Sequence, residues 1–216
     1  MRAVVTADIV DYTKLTKEEA DDVLIKVHHL IDVFKSSKFN IQNNFLIKRG
    51  DSIQGELEHQ KDALRVALLL KTGINGLHYE ETKKRSSLID VRIAIGIGNV
   101  VIRNSINESS GDAYIYSGRT LDAMKRNKRM ISIKTNNQEF DAELETELKL
   151  LEVIMSGWTT TSAEILYWTI LGYDEKEIAK KLEVSQPAIN QGKKRAGWNA
   201  VEALLERFES LIQKNK

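Results

Sequence analysis

The hydrophobic spacing of this chain changes period once, and that change limits its architecture more than any other feature. Up to about Lys134, helical stretches alternate with short β-type runs; after Glu139 every periodic segment is helical. Alternation in the first part excludes a purely helical bundle, and the all-helical remainder excludes a continuous α/β repeat. The expected organisation is an α/β domain over residues 1–136 and an all-α domain over 137–216. The single proline, Pro187, lies inside the second part, so composition marks no linker between them.

Within the first part, Ala3 to Val10 is apolar and β-branched, the pattern of a buried strand. Thr16 and Glu19 form a capping box ahead of a helix carrying Ala20, Val23, Leu24, Val27, Leu30, Ile31 and Phe34 on one face. Phe45–Lys48 and Ser52–Leu57 flank Arg49-Gly50-Asp51 as a hairpin. A helix through Ala63, Val66, Ala67 and Leu70 follows, then a strand at Val91–Ile97, a helix over Tyr116–Arg126 and a strand over Met130–Lys134. The order β, α, β-hairpin, α, β, α, β predicts helices packed on a mainly antiparallel sheet.

The 216 residues carry 42% hydrophobic and 29% charged side chains, with a net charge of +1 and no cysteine. No apolar run approaches the roughly 20 residues of a membrane span, and Asp8 and Asp11 interrupt the apolar start where a signal peptide would continue. A cytoplasmic protein without membrane contact is expected, lacking disulfides and thiolate metal sites. Lys125, Arg126, Lys128 and Arg129 form one basic cluster; Lys193, Lys194 and Arg195 form another. A solvated surface explains either cluster as well as function does.

In the helical part, Thr161-x-x-Glu164 and Asp174-x-x-Glu177 read as capping boxes, with helices through Ile165, Leu166, Trp168 and Ile170 and through Ile178, Ala179 and Leu182. Glu183-Val184 makes a short turn, and Ser185 caps a third helix with Pro187 in its first turn and Ile189 buried. A short helix, a tight turn and a capped helix are the parts of a helix-turn-helix. Gln186, Asn190 and Gln191 carry donors and acceptors for base edges, while Lys193, Lys194 and Arg195 suit phosphates. The stretch GYDEKEIAKKLEVSQPAINQGKKRA resembles the helix-turn-helix of sigma-factor region 4 and of response-regulator output domains. That resemblance implies double-stranded DNA as partner, read by Ser185, Gln186, Asn190, Gln191, Lys193, Lys194 and Arg195. Gly192, inside the third helix, costs about 1 kcal/mol relative to alanine. The last helix, with Val201, Leu204, Leu205, Phe208, Leu211 and Ile212, either covers this core or pairs with its twin.

Asp8-Ile9-Val10-Asp11-Tyr12-Thr13, Gly50-Asp51-Ser52, the strand Val91–Gly98 and the segment Gly111–Arg119 together resemble the class III nucleotidyl cyclase domain, with the small SatD-type proteins a close second match. The resemblance covers about Ala3 to Lys134. It implies a ferredoxin-like, palm-type α+β domain, with Mg²⁺ held by Asp8, Asp51 and the Ile9 carbonyl. It further implies a nucleoside triphosphate met by Lys48 and Arg119, Arg119 as the catalytic arginine, and a head-to-tail homodimer. Two positions depart from the pattern: Ile115 stands where the family has its transition-state asparagine, and Ile47 where it has its base-reading lysine, with Lys48 one place along. An Asp at the end of five apolar strand residues is costly unless paired or metal-bound, whereas Asp51 could simply cap the hairpin. Asp11 and Asp112 read as exposed loop residues, and His28, His29, His59 and His78 lack metal-ligand spacing. No P-loop or nucleophile elbow is present. The expected function is a DNA-binding transcriptional regulator with a degenerate, nucleotide-sensing cyclase-like domain. The alternatives are a Mg²⁺-dependent nucleotidyl cyclase or nucleotidyltransferase regulated by its helix-turn-helix domain, and a protein-interaction scaffold.

Overall fold

A computed structural model describes residues 1–36, 45–48, 51–76, 89–101 and 109–214, with the side chains of residues 35, 36 and 48 left aside. In chain order the elements are β1 (Arg2–Ile9), α1 (Lys17–Ser36), β2 (Phe45–Lys48), β3 (Ser52–Leu57), α2 (Ala63–Asn75), β4 (Val91–Gly98), α3 (Asp112–Asn127) and β5 (Ile131–Lys134). Then come α4 (Gln138–Ser156), α5 (Thr160–Leu171), α6 (Glu175–Lys181), α7 (Gln186–Arg195) and α8 (Trp198–Lys214). The fold is α+β, a five-stranded sheet with eight α-helices among the described residues. The tip residues Arg49 and Gly50 lie outside that description.

The sheet runs β2-β3-β1-β4-β5. The first four strands are mutually antiparallel, and with α1 and α2 they make the split βαββαβ arrangement of ferredoxin-like sheets. Helix α3 then crosses back so that β5 adds in parallel to β4. Alternation along the strands sorts the two faces. Ala3, Val5, Ala7, Ile9, Ile53, Leu57, Val91, Ile93, Ile95 and Ile97 join the main core together with α1 and α2. The opposite face carries Thr6, Asp8, Gln54, Glu56, Arg92 and the glycines of β4, and α3 lies across it. Thr6 Oγ1 donates to Ser117 Oγ of α3 at 2.9 Å, and Tyr114 donates to Glu56 at 2.7 Å. Burial, with Glu56 beside it, drives the Tyr114 hydroxyl pKa well above its usual range.

Helix α3 starts at Asp112, four residues ahead of the expected Tyr116, and reaches the sheet through Gly96 and Gly98. Asp112 is thus the first helical residue rather than a loop residue, although it is exposed as expected. The Thr16–Glu19 box forms in both directions, at 3.3 and 2.8 Å. So does the Asp174–Glu177 box at the start of α6. The cap of α5 is Thr159 with Ser162, not Thr161 with Glu164. Ser185 occupies the cap position of α7 without a side-chain bond.

Helix α2 is buried almost all round, which requires cover on both sides. The sheet covers one side and α5 the other. Helix α8 lies over the turn preceding α2, where Arg65 pairs with Glu209 at 2.8 Å. One hydrophobic core consequently runs from β1 to Phe208, Leu211 and Ile212. Helix α4 is tied to β5 by charge: Glu152 accepts from the Met130 and Ile131 amides at 2.6 and 3.0 Å and from Arg129 Nε at 2.8 Å.

Candidate functional site

Helices α5, α6 and α7 share a small core of Ile165, Ile178, Ala179 and Ile189, with Trp168 and Leu182 against it. Helix α5 stops at Gly172, in the left-handed region at φ 96°. Lys181 closes the α5–α6 corner, its ammonium 4.5 Å from the ring centres of both Trp168 and Tyr173. Gly192, a liability by helix propensity, is where α7 crosses α5: a β-carbon there would stand 2.4 Å from Ile165 Cδ1. The glycine exchanges helix propensity for close approach, and the crossing sets which way the outer face of α7 points.

That outer face carries Ser185, Gln186, Gln191, Lys194 and Arg195, all exposed. Asn190 and Lys193 behave differently from the sequence expectation. Asn190 Nδ2 donates to Glu175 Oε1 at 3.2 Å, and Lys193 Nζ lies 3.6 Å from the same oxygen and 5.9 Å from the Trp198 ring centre. The Asn190 bond, aided by Lys193 and Gln186, holds the Glu175 carboxyl below its ordinary range. Glu175, at the first position of α6, thus draws two of the predicted contact residues inward and locks α7 onto α6. Sequence reading missed it because a first-turn glutamate looks like ordinary dipole compensation. Among the described residues, Lys194 and Arg195 have no carboxylate partner.

The α/β part brings together some of its predicted site residues and separates others. Asp8 stands opposite Ser52 in the β1–β3 register, and the Ile9 amide donates to the Asp51 carbonyl at 3.0 Å, so Asp8, Ile9 and Asp51 are neighbours. The Asp8 carboxylate, however, is buried between cations of the chain itself: Arg92 Nη1 at 3.3 Å and Lys125 Nζ at 3.1 Å. Arg92 faces Asp8 directly across β1 and β4 and also donates to the Arg129 carbonyl at 3.1 Å. The charge a divalent cation would bring is already supplied, and no group of three acidic or histidine side chains could hold a metal among the described residues. This arrangement does not fit a Mg²⁺ centre. Arg92 was legible in principle, as the polar residue opposite Asp8 in an otherwise apolar strand.

Lys48 is on β2, one edge of the sheet, and its side chain lies outside the described residues. Arg119, on α3, lines a cavity of about 370 Å³ beside β5 at the other edge, with Thr120, Arg129, Ser132 and Lys134. Within one chain Lys48 and Arg119 are therefore not brought together. Ile115 is exposed on the outer side of α3. Replacing Arg92 with Met is expected to cost about 2 kcal/mol, because Asp8 keeps only Lys125, and Asp8→Asn in the same chain should recover most of it. Urea unfolding of the two single variants and the double variant checks this; additive losses would contradict the pairing.

The family described as putative ATPase subunit of terminase (gpP-like) matches residues 159–214. That span is about a quarter of the chain and corresponds to α5–α8. No curated protein matches. Among solved structures, the chain is similar to a bacterial light-regulated adenylyl cyclase at 15% identity and a TM-score of 0.41, covering 61% of this chain and 74% of that one. It is also similar to the active GGEEF domain of a diguanylate cyclase from Vibrio cholerae at 18% identity and a TM-score of 0.42, covering 63% and 83%. No helix among the described residues is long and apolar enough to cross a membrane.

Proposed function

We propose that the chain binds double-stranded DNA, with α6 and α7 acting as a helix-turn-helix and α7 as the helix that enters the major groove. The observation that carries the reading is the outer face of α7, where Gln191, Lys194 and Arg195 stand exposed while the inner face is fixed by Ile189, Gly192 and Glu175. Glutamine offers a paired donor and acceptor to a base edge, and the two cations reach phosphates on the flanking strand. Asn190 and Lys193 act in this reading as positioning residues, through Glu175. The α/β part, sharing one core with α5 and α8, serves as the rigid body that presents α7. Nucleotide cyclisation is not part of the reading: Asp8 is neutralised internally, and Ile115 offers no hydrogen bond to a ribose.

The test is titration of a fluorescent duplex with the chain and with a Lys194→Glu, Arg195→Glu variant. Saturable binding that weakens steeply with salt, and is lost in the variant, supports the reading. Equal binding by both chains removes α7 as the DNA surface.

A further inference from the structure

The contact between α6 and α7 sets more than the angle of two helices; it also sets which end of an amide faces outward. Asp174 accepts from the Lys176 and Glu177 amides at 2.8 Å, and Glu177 accepts from the Asp174 amide at 2.8 Å, so the first turn of α6 is pinned and Glu175 with it. Across from it, α7 is placed by Ile189 in the small core and by Gly192 against Ile165. Gln186, Asn190 and Lys193 converge on the Glu175 carboxylate from successive turns of α7. Residues four and three apart share one face of a helix, so these side chains form a single stripe along α7. With three donors on it, Glu175 is held where it stands.

An ionised carboxylate only accepts hydrogen bonds, so only the NH₂ end of an amide can meet it. Asn190 Nδ2 lies 3.2 Å from Glu175 Oε1. That bond fixes the direction of the amide, with its nitrogen toward α6 and its carbonyl oxygen away from it. Among the described residues Asn190 Oδ1 accepts no bond, and it is not a buried atom without a partner, so it meets solvent. The usual contact of an asparagine with adenine needs both ends of the amide, oxygen to N6 and nitrogen to N7. Here the nitrogen is already engaged. An oxygen alone accepts from the amine of either adenine or cytosine in the major groove, and it meets only acceptors on guanine and thymine.

Resting on α7 as the groove helix, we propose that Glu175 turns Asn190 into an acceptor-only reader, so that the base it faces is an amino base, adenine or cytosine alike, and the keto bases guanine and thymine are rejected. The Asn190 carbonyl oxygen makes the contact, and Glu175 is a positioning residue that acts through it. What this asparagine reads is therefore set by a glutamate on the neighbouring helix.

Selection of duplexes from a randomised pool by the full chain, followed by anisotropy titration of the selected duplex and its single-base variants, tests it. Wild type should show a position where adenine and cytosine bind alike and guanine and thymine bind about tenfold more weakly. Asn190→Ala should make that position indifferent while leaving the salt slope unchanged, because Lys194 and Arg195 carry the phosphate contacts. Glu175→Ala frees Nδ2, so adenine should come to exceed cytosine there by about tenfold. A residue that only braced α7 would instead weaken all duplexes alike. Guanine or thymine at the position that Asn190→Ala relaxes overturns the proposal. So does an unchanged ratio of adenine to cytosine in Glu175→Ala, or a selected sequence that Asn190→Ala leaves untouched. None of these results removes α7 as the DNA surface, which fails separately if Lys194→Glu with Arg195→Glu binds as well as wild type.

Discussion

Gly96→Ala is expected to lower the melting temperature by about 6–12 °C, the size of a roughly 3 kcal/mol loss in a chain of this length. A β-carbon on Gly96 would stand 2.1 Å from the Ala113 carbonyl oxygen and 2.6 Å from the Ser117 amide nitrogen. Both are backbone atoms of α3, so no side chain can rotate away and the whole helix must lift. Lifting it would break the Thr6–Ser117 hydrogen bond and pull Lys125 from Asp8, both on the face that α3 covers. Gly118→Ala on the same helix is the matched control. Nothing lies within 4 Å of its β-carbon position, and the change should raise stability by about 0.5–1 kcal/mol through helix propensity alone. Thermal unfolding followed by circular dichroism separates the two; similar shifts for both variants would mean that α3 does not dock through Gly96.

Reversing Lys194 and Arg195 to glutamate should weaken duplex binding by about a hundredfold or more near physiological salt, and flatten the salt dependence by about two phosphate contacts. Both side chains are exposed, so the loss should come without a change in melting temperature. Lys193→Ala should act differently although it is the next residue. Its ammonium is shared between Glu175 and the face of Trp198, so its removal should loosen α7 on α6 and cost stability more than it flattens the salt slope. Equal salt slopes for Lys193→Ala and Lys194→Ala would contradict that division of roles. Anisotropy titrations at several salt concentrations, paired with melting curves, give both readouts.

Local features of the fold were legible in the sequence where one element settles its own geometry. The Thr16 and Asp174 boxes and the amphipathic stripe of α8 each stand where the residues place them. Features that depend on a second element were not. Helix α2 reads as a helix, but only its burial on every side reveals that α5 must lie on it, and hence that the α/β and helical parts share a core. Gly192 reads as a cost until Ile165 is seen opposite it. Asp8 was legible as a carboxylate in need of a partner; that Arg92 and Lys125 are the partners follows from the β1–β4 register and the docking of α3, neither of which has a local signal. On α7, residue types identified the exposed contacts, but the inward turn of Asn190 and Lys193 required knowing where Glu175 stands.

Hydrogen exchange of the full chain with and without a saturating DNA duplex, resolved by peptide, tests the central claim most directly. The account predicts new protection in the turn and helix spanning residues 182–197, with the sheet and α3 unchanged. Protection centred on α3 or on the edge strands, or no change along α7 while DNA is bound, would contradict it.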